Sequence, residues 1–244
     1  MKNYISAAIF SISIILAAYF LSNAYVERSQ SHRGTVSVTG LGKANINSDL
    51  IVWEGQFTSK SNNLKEAYAF LNQDKHKVIA YLKSNGIKVK DIVFNAVSIN
   101  KEYKNEYSAS GKYIGNTFVG YELKQNLTIE SKNVEHIESI SRNITELLND
   151  GVQFYSRAPR YYYTQLADLK IKMISEATKD AYDRAKTISE FSSSQLGQLV
   201  SAKMGVFQIT GQNSNEDYSW SGAYNTSSKN KTASITMKLV YKVE

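Results

Sequence analysis

Cysteine is absent from the 244-residue chain. That removes disulfides, thiolate zinc sites, iron–sulfur clusters and cysteine nucleophiles together. An oxidising compartment stays open, because a chain of this length builds a core without covalent staples. Proline occurs once, at Pro159, and the 13 glycines are scattered, so collagen-like and proline-rich linker architectures are excluded. Histidine is scarce. His32, His76 and His136 have no acidic or histidine partner at metal-ligand spacing, and Glu135 and Glu138 flank His136 without supplying it. No nucleophile elbow, Walker loop or zinc signature occurs. The carboxylates Glu216 and Asp217 sit in a polar stretch where solvation is the default. The chain is therefore expected to be a non-enzyme with no catalytic residue, cofactor or metal.

Charge is not scarce, but it is dispersed. The formal net charge is +7, an excess that attracts polyanions. A nucleic-acid groove would concentrate its lysines on one face. Here the nearest thing to a cluster is Lys83, Lys88 and Lys90, with Asp91 beside them. A solvated surface and no nucleic-acid partner are expected.

Residues 1–24 read as an address. Lys2 precedes an apolar run from Tyr4 to Leu21, broken only by Ser6, Ser11 and Ser13. Ser22-Asn23-Ala24 then sets small residues where a signal peptidase cuts. The run exceeds the ~7–15 residues of a cleaved signal and approaches the ~20 needed to cross a bilayer. A cleaved signal peptide and an uncleaved anchor both fit, and either places the body outside the cytoplasm, in a periplasm. Residues 25–33 follow as a polar linker, and 34–244 as one domain.

Within that domain the period alternates. Thr35 to Thr39 repeats every second residue, and Gly40-Leu41-Gly42 reads as a tight connection closing the strand. Asp49–Lys60 forms a second strand, with Ile51, Trp53, Gln56 and Thr58 along it. Leu64, Ala67, Leu71, Val78, Ile79 and Leu82 mark a helix, with Asn62 or Asn63 as cap and Gly86 beyond its end. Asp91–Tyr103 and Phe118–Glu130 are strands, and the polar segment Lys104–Asn116 between them reads as a mobile hairpin tip. A helix spans Asn133–Asn149 with Gly151 after it. Val152–Thr164 is an aromatic strand broken by Pro159, which places it at an edge or a bulge. The longest helix runs from Leu166 to Phe191 with an alanine stripe at Ala177, Ala181 and Ala185. Gly197–Thr210 and Lys231–Val243 end the chain as strands around an exposed loop, Gly211–Asn230. The order predicts an α+β fold of largely antiparallel sheet, with three helices packed on it and a hydrophobic helix in front.

Four stretches resemble the SIMPL-domain family of exported bacterial proteins. They are Val36-Ser37-Val38-Thr39-Gly40-Leu41-Gly42-Lys43-Ala44 with Ser48-Asp49; Glu66-Ala67 to Leu82 with Gly86-Ile87 and Asp91-Ile92; Gly120-Tyr121 with Leu127-Thr128-Ile129; and Ala177, Ala181, Ala185, Lys186 with Leu196-Gly197-Gln198-Leu199. The departures are a missing proline before Asp49, Asn95 in place of a threonine, and an alanine stripe thinner than is usual in the family. The resemblance implies an α+β envelope protein behind a signal peptide or anchor. It further implies ring- or channel-like homo-oligomers and links to envelope integrity and stress tolerance. It supplies no catalytic residues.

Aromatics are the remaining signal. There are 17 tyrosines, and Tyr161, Tyr163, Tyr218, Trp220 and Tyr224 are the candidate contact residues. Tyrosine offers broad apolar area with a polar tip, which suits protein and membrane interfaces. The expected function is self-assembly through sheet edges and aromatic loops, with residues 4–21 at a membrane if retained. The alternative is a module that binds an envelope polymer, lipid or protein through the Tyr/Trp loops.

Overall fold

The computed structural model describes the backbone of residues 2–30 and 34–243, and the side chains of 12–26 and 34–243. Helix α1, Lys2–Gln30, continues beyond residue 24 into the segment expected to be a linker. Its described side chains, 12–26, are all exposed. Among the described residues no helix is long and apolar enough to cross a membrane. The apolar run Tyr4–Leu21 lies partly outside them, at the side chains of 4–11, as do His32 and Arg33 of the linker.

Beyond α1 the chain forms strands β1 (Thr35–Asn47) and β2 (Leu50–Ser61), helix α2 (Leu64–Ser84), and strands β3 (Ile92–Phe94), β4 (Ser98–Tyr107) and β5 (Tyr113–Ser131). Helix α3 (Val134–Asn143), strands β6 (Gln153–Ser156) and β7 (Arg160–Tyr162), helix α4 (Leu166–Phe191) and strands β8 (Leu196–Met204), β9 (Gln208–Gly211) and β10 (Asn230–Val243) complete it. The expected α+β class with antiparallel sheet holds. Two compact units divide the chain: Met1–Ala44 with Asp168–Phe207 and Ser234–Glu244, and Asn45–Ala167 with Gln208–Ala233.

In the first unit the strand order is β1-β10-β8, with β10 and β8 antiparallel. Gly40 and Gly42 do not turn the chain. They lie inside β1, and a Cβ at Gly40 would meet the Ala177 carbonyl oxygen at 2.2 Å and the Ala181 nitrogen at 2.4 Å. One at Gly42 would meet the Met173 oxygen at 2.3 Å. The strand therefore lies backbone to backbone on α4, whose stripe Met173, Ala177, Ala181 and Ala185 is fully buried. Small residues on both sides permit this approach. Asp180 accepts from the Leu41 N–H at 2.8 Å and from Arg184 Nε at 3.0 Å. The Leu41 bond leads in holding the Asp180 carboxyl below its ordinary pKa.

In the second unit β2 is central. It pairs antiparallel with β5 on one side and with β6 and β7 on the other, while β3 and β4 pair with the far side of β5. Pro159 falls between β6 and β7, where no ladder bond is lost. Ile51, Trp53 and Phe57 point inward with Leu123, Leu127 and Ile129, under Ala67, Leu71, Val78 and Leu82 of α2 and Ile137 and Ile140 of α3. Gln56 faces away from this core and bonds Asn126. Asn63 caps α2, accepting from Lys65 and Glu66. Gly151 ends a 3-10 turn, Ile144–Asp150, in the left-handed conformation at φ 76°, where glycine bears no Cβ clash.

The hairpin after β3 departs from expectation. Pairing between β4 and β5 continues to Tyr107 and Tyr113, so most of the expected mobile tip is strand. Polar and aromatic residues alternate there, and a two-stranded ribbon with both faces in solvent needs no buried face to set its pattern.

Overpacking a strand against a helix backbone has no side chain to move aside. Gly40→Ala and Gly42→Ala are each expected to lower unfolding stability by about 3 kcal/mol in urea titrations. Gly197→Ala, whose nearest neighbour would be 3.1 Å away, is expected to cost less.

Candidate interaction surfaces

Three surfaces emerge from the sheet and its loops. The first is the β4–β5 ribbon. Alternation along β4 puts Tyr103, Asn105 and Tyr107 on one face, opposite Phe118, Asn116 and Tyr113 of β5. Tyr103 and Phe118 meet edge-on at 5.8 Å, and Tyr107 and Tyr113 at 5.9 Å. These cross-strand rings stabilise the ribbon, yet each remains 42 to 59% exposed. The other face carries Glu102, Lys104 and Glu106. At its base Lys60 Nζ reaches Glu102 at 2.6 Å and Glu122 at 3.3 Å.

The second is strand β8. Tyr241, Leu239 and Met237 of β10 are buried, whereas their partners on β8, Leu199, Ala202 and Met204, are exposed. The cover that shields β10 stops short of β8, and among the described strands β8 pairs only with β10.

The third is the loop between β9 and β10, which is pinned rather than loose. Gln208 is buried; its Nε2 donates to Ser219 O at 2.7 Å, and its Oε1 accepts from Ala223 N at 2.6 Å and Ser219 N at 3.2 Å. Glu216 accepts from Gly211 N at 2.9 Å and from the Asn225 amide. Lys231 is fully buried, and its ammonium donates to Asn225 O at 2.8 Å, Asn225 Oδ1 at 3.2 Å and Ser228 O. Burial pushes the Lys231 pKa down to about 8, against the nearby Glu216 charge. Between these pins Trp220 is 99% exposed, with Tyr218 and Tyr224 also exposed.

At the foot of the loop, Glu138 of α3 accepts from Lys229 Nζ at 2.8 Å, Arg142 at 2.6 Å and the Tyr161 hydroxyl at 3.0 Å. The Lys229 bond leads in lowering the Glu138 pKa, with burial opposing it. Burial and the Glu138 bond raise Tyr161 to about 12.

Of the expected contact residues, Tyr161 must be withdrawn from any surface: its ring is buried in the core and its hydroxyl is committed to Glu138. Strand β7 pairs with β2, and that pairing turns Tyr161 inward. Tyr163 lies past the end of β7 and is half-buried. Tyr218, Trp220 and Tyr224 all lie exposed on the pinned loop, while the ribbon rings were not among the expected residues. Their signal was the alternation Tyr103, Asn105, Tyr107, obscured by the polar residues between. Lys231 was also missed, although it shares the period-two face of Ala233, Ile235 and Met237. Among the described residues no group of His, Asp or Glu side chains is arranged to hold a metal ion. His76 Nδ1 contacts the Asn72 carbonyl of its own helix at 2.7 Å.

A glycine-bearing strand seated on an alanine-striped helix, with antiparallel sheet covered by two helices in the second unit, defines an α+β protein. The chain belongs to the SIMPL family, described as a protein of unknown function (DUF541), whose family model matches residues 36–241. No curated protein matches the chain.

Glu138 is more acidic in the fold than in the unfolded chain. Its contribution is present above the ordinary carboxylate pKa and is lost as pH falls through the lowered one. Tyr161 acts in the opposite sense, its contribution complete below pH ~10 and lost as pH rises toward about 12. Glu138→Gln is expected to lower stability near neutrality by about 1–3 kcal/mol and to flatten the acid limb. Urea unfolding at a series of pH values checks both.

Proposed function

We propose that this chain is a non-enzymatic envelope protein that works by assembling with copies of itself into a ring- or channel-like homo-oligomer. In this reading it is exported to a periplasm and supports envelope integrity or stress tolerance. The apolar segment 4–21 holds it at the membrane when the segment is retained. The observation that carries the reading is the aromatic face of the β4–β5 ribbon. A two-stranded element alone is marginal in water, and a contiguous exposed aromatic stripe suits a protein contact. The uncovered apolar side chains of β8 support it in the other unit.

Light scattering on the purified full chain is expected to give a mass several times 27.4 kDa. A strict monomer at high concentration would overturn the reading. N-terminal sequencing separates the two forms, since a start at Tyr25 means release from the membrane.

A second reading, a binding module for an envelope polymer, lipid or protein, is favoured by Trp220 standing fully exposed on a loop pinned at both ends. A rigid loop loses little entropy when it binds. The other tryptophan, Trp53, is buried, so emission from Trp220 is separable. Under this reading, titration with vesicles or envelope polymer shifts the emission to the blue and shields it from acrylamide, and Trp220→Phe abolishes both effects. An unchanged spectrum with every probe counts against it.

A further inference from the structure

The two outer edges of the ribbon differ. On the β5 edge, register shifts fall between Glu102 and Tyr103 and between Glu106 and Tyr107, where β5 inserts the extra residues Val119 and Ile114. Gly115 and Gly120 there also adopt positive φ, at 146° and 150°. Bulges of this kind turn an edge away from further pairing. Strand β4 carries no extra residue, and among the described strands it pairs only with β5. Its outer backbone groups are therefore open. Lysines often protect such an edge, and Lys104 has no ionic partner among the described residues, whereas Glu102 is bonded to Lys60.

We propose that β4 pairs antiparallel with β4 of a second copy about a twofold axis at Tyr103, setting Glu102 of each chain opposite Lys104 of the other. This rests on the self-assembly reading and names one contact within it, a twofold that a ring would combine with a second interface.

The register follows from the residues. Opposed residues in an antiparallel pair share a face, so an axis between two residues would set the aromatic face of one copy against the polar face of the next. An axis on Lys101, Glu102 or Lys104 places that charge against itself, which is destabilising. An axis at Asn105 carries Lys101 beyond the strand and leaves only Tyr103 to Tyr107 paired. With the axis at Tyr103 the pairing runs from Ile99 to Tyr107. Ile99 then opposes Tyr107, Asn100 opposes Glu106, and Lys101 opposes Asn105. Both Glu102–Lys104 contacts are attractive, and Tyr103 meets itself on the aromatic face. The contact is isologous, as a closed twofold requires. It adds strands edge to edge, with backbone bonds for affinity and side chains for register.

The test uses the full chain. Glu102→Lys and Lys104→Glu, each alone, oppose like charges at both crossed contacts and are expected to weaken association about tenfold. Mixing the two single variants restores opposite charges at both contacts and should recover it. The Glu102→Lys chain still lacks the Lys60 bond in that mixture, so recovery cannot come from repairing the chain itself, and unchanged circular dichroism confirms folding. Because the chain has no cysteine, Tyr103→Cys should cross-link to itself on mild oxidation. If the wild type is a strict monomer, this inference and the self-assembly reading both fall. If it assembles but mixing fails to rescue and Tyr103→Cys does not cross-link, the β4 contact falls and self-assembly through another surface stands.

Discussion

The backbone of β1 lies against the backbone of α4 with no room for a methyl group between them at Gly40 and Gly42. Such an approach cannot be relieved by a rotamer, because the opposing atoms are carbonyl oxygens and amide nitrogens. It demands glycine on the strand and small residues on the helix, and Ala177 and Ala181 supply them. Asp180, between those alanines, bonds the Leu41 N–H that lies between the glycines. Because the glycines extend the strand rather than turn it, β1 runs 13 residues to Asn47 and delivers the chain directly into β2.

In the second unit the apolar core and a small set of buried polar groups share the work. The core places α2 and α3 over the sheet. Lys231, Gln208 and Glu138 then decide what the long loop does. A buried ammonium costs several kcal/mol unless its protons are bonded, and here three loop acceptors meet them. The cost of burying the charge thus enforces the loop conformation, and with it the outward stance of Trp220.

The ribbon has no such core. Its stability comes from cross-strand rings that cover one another only in part. The same residues that hold it together therefore remain about half exposed. Stability and contact area are coupled there, which is the physical basis for reading it as a place where copies meet.

Much of the fold was legible in the sequence. The helical period over Leu166–Phe191 matched α4 at both ends, and Gly86, Gly151 and Pro159 marked real boundaries, because these residues act through their own backbone geometry. Three things were not legible. Gly40 and Gly42 read as a turn because a glycine for φ and a glycine for close approach look alike until the neighbouring helix is in place. Lys104–Asn116 read as a loop because a ribbon solvated on both faces shows no hydrophobic alternation. Tyr161 read as a contact residue because only its pairing through β7 with β2 turns it toward Glu138. The sequence by itself determined the elements whose signals are local, together with the family. Tertiary structure alone decided which glycines, tyrosines and lysines face a neighbour, since burial depends on what the rest of the chain brings alongside.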